Sequence, residues 1–165
     1  MADALIIIDM QAGLQDIAHR TQTVAVINQR INLYRADHKP IVFIQHTEPG
    51  MEVASAGWQL FSDIDAQGSD TYFIKTRPDS FYQTGLNDFL NMNQLTHIEI
   101  CGAQVEFCVD TTIRVAFHLG FTVSILLDGI TTCDSALLSA EQIKAHHASI
   151  WKDRFGTIVA PTTSL

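Results

Sequence analysis

The stretch HIEICGAQVEFCVDTTIRVAFHLGFTVSILLD, residues 97–128, decides the fold. HIEICG, residues 97–102, is an apolar run of strand length, and FTVSILLD, residues 121–128, is another. Between them Val109, Ile113, Ala116 and Phe117 recur at helical spacing, and Gly120 follows as a helix-terminating residue. Strand, helix and strand in this order form a crossover unit, the connection that parallel neighbours require. Cys108 stands just where the helix begins, after an apolar strand and a glycine-led turn.

Working outward, the same alternation covers the chain. ALIIID, residues 4–9, is a continuous apolar run, the pattern of a strand buried on both faces, and it ends in an acid. Residues 14–37 then carry Val24, Ile27, Ile31 and Tyr34, which predicts one long helix ending before the turn Asp37-His38-Lys39-Pro40. IVFIQH (41–46) and TYFIK (71–75) are further strands, and residues 85–91 supply a short helical turn around Leu86, Phe89 and Leu90. Ser139 caps a helix running through residue 152, and GTIVA closes the chain as a sixth strand. Residues 47–70 show no period, and a connection of that length in a compact domain is functional or poorly ordered. Six strands alternating with helices predict an α/β three-layer fold with a mainly parallel sheet, as one domain over residues 1–165.

Composition removes several function classes. The chain has 165 residues, enough to bury one core, and 47% of them are apolar. Eighteen acids against ten bases give a net charge of -8, with the bases dispersed, so neither nucleic acid nor an anionic membrane is an expected partner. The longest apolar runs fall far short of the ~20 residues that span a bilayer. No charged leader precedes a long apolar segment, and three cysteines without C-x-x-C spacing do not describe a disulfide framework, so a cytoplasmic setting is expected.

In parallel α/β sheets ligands bind beyond the carboxyl ends of the strands. That rule selects Asp9 after strand one, His46 at the end of strand two, Lys75 at the end of strand three and Cys108 after strand four. Each has an ordinary alternative. Asp9 could cap a helix starting near Gln11, Lys75 could be a solvated charge, and cysteine is among the most often buried residue types. Cys101 and Cys133 take that last reading. Cys108 differs, because free amides at a helix start favour a thiolate. His46 lacks the companion ligands of a metal site, so no metal and no cofactor are expected. There is no phosphate loop, dinucleotide fingerprint, serine-nucleophile elbow or H-E-x-x-H.

LIIIDMQ, FIKTRPDSF and CGAQVEFCVDTTIRVAFHLGF, with the late segments DGITTCDS and AEQIKAHHASI, resemble the isochorismatase-like cysteine hydrolases over nearly the whole chain. The resemblance implies a six-stranded sheet of order 3-2-1-4-5-6 and an Asp-Lys-Cys triad, here Asp9, Lys75 and Cys108. It also implies a cis peptide joining Ala103 to Gln104, and an oxyanion hole made by the amides of Gln104 and Cys108. Lys75 would favour the thiolate, and Asp9 would accept the thiol proton and return it to a leaving amine. By sequence position Gln11, Leu14, Trp58, Phe81, Phe107 and Thr111 are expected to wall the pocket, with Trp58 on a lid or facing a neighbouring subunit.

Departures from subfamily patterns narrow the reaction. The metal-binding D-x-H of the nicotinamidases is replaced by Gln45-His46-Thr47. Isochorismatases that cleave a vinyl ether can dispense with the cysteine, so Cys108 points to an amide or related C-N bond of a small molecule. Two other readings of the fold are an ether hydrolase and a non-catalytic binding or assembly module. A third is a thiol redox sensor pairing Cys108 with Cys101 or Cys133. A homo-oligomer, dimer or tetramer, is expected from the resemblance.

Overall fold

A computed structural model describes residues 1–161; residues 162–165 of the expected domain lie outside them. The strands are β1 (Ala4–Ile8), β2 (Ile41–His46), β3 (Thr71–Lys75), β4 (His97–Ala103), β5 (Thr122–Thr131) and β6 (Thr157–Val159). They form one sheet of order β3-β2-β1-β4-β5-β6, parallel at every pairing. The helices are α1 (Arg20–Ala36), α2 (Leu86–Met92), α3 (Asp110–His118) and α4 (Ala140–Trp151). Right-handed crossovers fix their sides. The chain moves one way along the sheet from β1 to β2 and the other way from β4 to β5, so α1 lies on the face opposite α3.

Continuous apolar runs fill the middle of the sheet, as strands covered on both faces require. All five residues of β1 are buried, as are Ile41, Val42, Phe43 and Ile44 of β2. Helix α1 buries Val24, Ile27, Ile31 and Tyr34, the positions its periodicity selects, each contributing about 1.5–3 kcal/mol of apolar transfer. Beneath it, the Arg30 guanidinium pairs with Glu99 (Nε to Oε1, 2.7 Å), and Tyr34 donates to Glu99 Oε2 at 3.2 Å. Helix α4 begins at a capping box: Ser139 accepts from the Gln142 amide, and the Gln142 side chain accepts from the Ser139 amide.

Two boundaries differ from the sequence expectation. Helix α1 starts at Arg20 rather than near residue 14: the Ala18 amide, which a longer helix would bond to Leu14, donates to the Thr132 carbonyl, and before it Ala12 and Gly13 donate to the carbonyls of Gln59 and Gly57. Asp9 therefore caps no helix, and the residue before α1 is His19, in a left-handed conformation. The 47–70 segment is ordered by these same bonds, and it buries Phe61 and Ile64. Strand β5 runs on past Asp128 to Thr131. The pairing with β4 jumps from Ile100–Ile125 to Gly102–Ile130, and this bulge carries the strand forward to meet the end of β4.

Gly102 is the tightest point of the sheet. It pairs with Ile8 and has φ +117°, and a Cβ there would overlap the backbone of Ile8. Neither atom set can yield, since one belongs to the central strand. Gly102→Ala is expected to lower stability by about 3 kcal/mol or more, read as a depressed thermal midpoint, whereas alanine at the open Gly68 should change little.

Candidate active site

The strand ends bring three side chains together. Asp9 follows β1 with φ 51°, a left-handed turn that aspartate tolerates, and its amide donates to the Ile44 carbonyl at 2.9 Å. Lys75 is the last residue of β3, with its side chain fully buried. Cys108 sits beyond β4 on a π-helical turn, Val105–Val109, that runs directly into α3. The Ala103–Gln104 peptide that enters the turn is cis. Both Phe107 and Val109 donate their amides to the Gln104 carbonyl, and Thr132 Oγ1 donates to Glu106 Oε2 at 2.5 Å, which ties the turn to the end of β5.

Lys75 Nζ lies 2.7 Å from Asp9 Oδ2 and 3.0 Å from Cys108 Sγ. The ammonium is thus shared between carboxylate and sulfur. Asp9 Oδ1 is buried and has no hydrogen-bond partner of good geometry among the described residues. The Cys108 thiol, which couples to this carboxylate, is the donor that can turn to it.

Electrostatics set the resting protonation state. Burial raises the Asp9 carboxyl above its ordinary range, with Lys75 opposing. For Cys108, burial and then the Asp9 charge push the thiol up to about 12, again against Lys75. The pull of the helix start and Lys75 toward the thiolate, expected from sequence, is thus opposed by burial and by Asp9. A helix start and a nearby cation are visible in sequence, but the depth of burial is not. Burial and the Asp9 charge thus favour the protonated thiol at Cys108, with Lys75 opposing.

A cavity of about 340 Å³ opens onto these groups. Asp9, Cys108, Gln104 and His46 form its polar floor; Leu14, Met51, Pro78 and Phe107 give apolar walls; Glu48, Thr76 and Arg77 bring exposed polar groups. Of the pocket walls expected from sequence, Leu14 and Phe107 line it. Gln11, Trp58, Phe81 and Thr111 do not. Gln11 is buried and clamps the backbone of His46, donating to its carbonyl at 3.0 Å and accepting from its amide at 2.7 Å. Trp58 contributes its carbonyl, which accepts from Gln11 and Gln45. Phe81 stacks on Phe121 at 5.7 Å. The walls missed by sequence, residues 48, 51 and 76–78, follow β2 and β3 directly, and the strand-end rule could have found them. Among the described residues no cluster of histidine, cysteine or acids could hold a metal.

Fold and site define an α/β protein with a thiol-bearing crevice at the carboxyl edge of a parallel sheet. The isochorismatase domain matches residues 3–160, and the chain belongs to the isochorismatase family of hydrolases. A crystal structure of an isochorismatase family protein superposes with a TM-score of 0.93 at 42% identity, covering 94% of this chain and 96% of that one. YrdC of Bacillus subtilis (strain 168), an uncharacterized family member, is 25% identical over 94% of this chain and 90% of its own length. A streptothricin hydrolase of Streptomyces noursei is 28% identical over 79% of this chain and 55% of its own. No helix among the described residues is long and apolar enough to cross a membrane.

The protonation state can be read by alkylation. Labelling of Cys108 by iodoacetamide is expected to climb by roughly tenfold per unit between about pH 7 and pH 10 without levelling, as a thiol demands. A plateau reached near neutral pH would instead report a preformed thiolate.

Proposed function

We propose that this chain is a cysteine hydrolase that cleaves an amide or related C-N bond of a small molecule. The observation that carries the reading is the buried contact of one ammonium with both a carboxylate and a thiol, at the floor of an open cavity. Family membership supports hydrolysis, and the streptothricin hydrolase is a relative whose name states a substrate.

Each group has one task. Cys108 Sγ bonds to the carbonyl carbon while its proton passes to Asp9, and Lys75 holds both partners and offsets the negative charge. Oxyanion charge falls to the amides of Gln104 and Cys108, each donor worth on the order of 3 kcal/mol in comparable sites. When the C-N bond breaks, Asp9 returns the proton to the leaving amine. A thioester remains. Water attacks it with Asp9 again as base, and the thiol is regenerated. The apolar walls suit an uncharged acyl portion, with Glu48 and Arg77 available to polar ends of the substrate. No metal or cofactor enters these steps. The substrate is a small molecule, and the protein works as a homo-oligomer.

Hydrolysis of a panel of small amides, carbamoyl compounds and vinyl ethers tests the reading. Cys108→Ala and Asp9→Asn should each lose at least about a thousandfold in kcat/KM on any amide turned over, with no acyl adduct by mass spectrometry in the cysteine variant. Turnover of vinyl ethers alone, undiminished in Cys108→Ala, would transfer the assignment to ether hydrolysis. The pH dependence has a definite sign. Asp9 must be ionised to accept the thiol proton, and burial raises its pKa, so kcat/KM should fall on acidification with a midpoint above the ~4 of an ordinary aspartate.

A further inference from the structure

Lys75 has three protons to donate and no capacity to accept. Two go to Asp9 and Cys108. The third faces His46, whose Nδ1 lies 3.2 Å from Nζ. A buried ammonium with an idle proton is costly, and one with three fixed acceptors has a single orientation. For Nδ1 to accept, the imidazole must be neutral with its proton on Nε2. That nitrogen lies 3.5 Å from Glu48 Oε2, a carboxylate that favours a proton there.

The ring itself is immobilised from behind. Gln11 pairs with both backbone groups of His46, and Gln11 is held in turn by the Trp58 carbonyl. The side chain of His46 is 16% exposed, enough to meet the cavity at one edge only. Three strands thus place three acceptors around one nitrogen: Asp9 after β1, His46 at the end of β2, and Cys108 beyond β4. Lys75 arrives from β3.

We infer that His46 is a positioning residue that, as its Nε2-protonated neutral tautomer, accepts the third proton of Lys75 and so fixes the ammonium between Asp9 and Cys108. Glu48 selects that tautomer. His46 touches no reacting atom in this scheme; it acts through Lys75. The inference rests on the reading of Lys75 as the cation serving Cys108.

Replacement by residues of different reach separates this role from simple packing. Asparagine can set its amide oxygen near the place of Nδ1, glutamine near that of Nε2, and leucine offers no acceptor. At fixed pH, iodoacetamide labelling of Cys108 is expected to slow roughly tenfold in His46→Leu and His46→Gln, and to recover in His46→Asn. Thermal midpoints measured alongside identify any variant that fails by unfolding. Independently, the side-chain nitrogen resonances of His46 in the wild-type protein should show Nδ1 bare and Nε2 protonated above neutral pH.

Equal labelling in His46→Leu and wild type, or a proton on Nδ1, overturns the inference while leaving the hydrolase reading intact. Labelling that is unchanged in Lys75→Met and in every His46 variant would instead remove Lys75 as the partner of Cys108.

Discussion

The structure depends on keeping an ammonium and a carboxylate together out of water. Removing two such ions from solvent is expensive, and their attraction offsets the loss only when the remaining protons and lone pairs are also satisfied. The sheet meets that condition by delivering each partner from a different strand end. Asp9, His46 and Lys75 come from the β1, β2 and β3 edges, and Cys108 comes from the turn beyond β4. Since β1 is flanked by β2 and β4, an error in either pairing would separate the group. Gly102 secures one of these pairings by letting the β4 backbone approach Ile8 more closely than a side chain allows. A conformational requirement in the core therefore becomes a distance in the crevice.

Burial also decides the chemistry of the sulfur. Helix starts and cations lower a thiol's pKa, but a carboxylate alongside and a dry environment raise it, and here the second pair prevails. The balance favours the protonated thiol over the thiolate. In the proposed reaction the proton leaves the sulfur only as a substrate carbonyl develops charge where donors await it.

Much of this was legible in sequence, for identifiable reasons. Buried parallel strands leave continuous apolar runs, so ALIII and IVFIQ announced themselves, and the strand-end rule then located Asp9, Lys75 and Cys108. The start of α1 was not legible. Residues 14–19 have no side chains hostile to a helix, and what stops it is the bond of the Ala18 amide to the Thr132 carbonyl, which no local pattern encodes. Aromatic residues misled as pocket walls: Phe81 found a ring partner in Phe121, and the role of Trp58 lies in its carbonyl. His46 was weighed as a metal ligand and set aside for want of companions. Its actual neighbour is a lysine 29 positions away.

The 47–70 segment makes its binding commitments unevenly. Its later part is bonded to residues 10–13 and sinks Phe61 and Ile64 into the core, while Glu48 and Met51 border the cavity. Anchoring and lining of the cavity are therefore assigned to separate portions of one connection. Under the proposed function, changes at Glu48 and Met51 would reshape the entrance while the bonds to residues 10–13 stay in place.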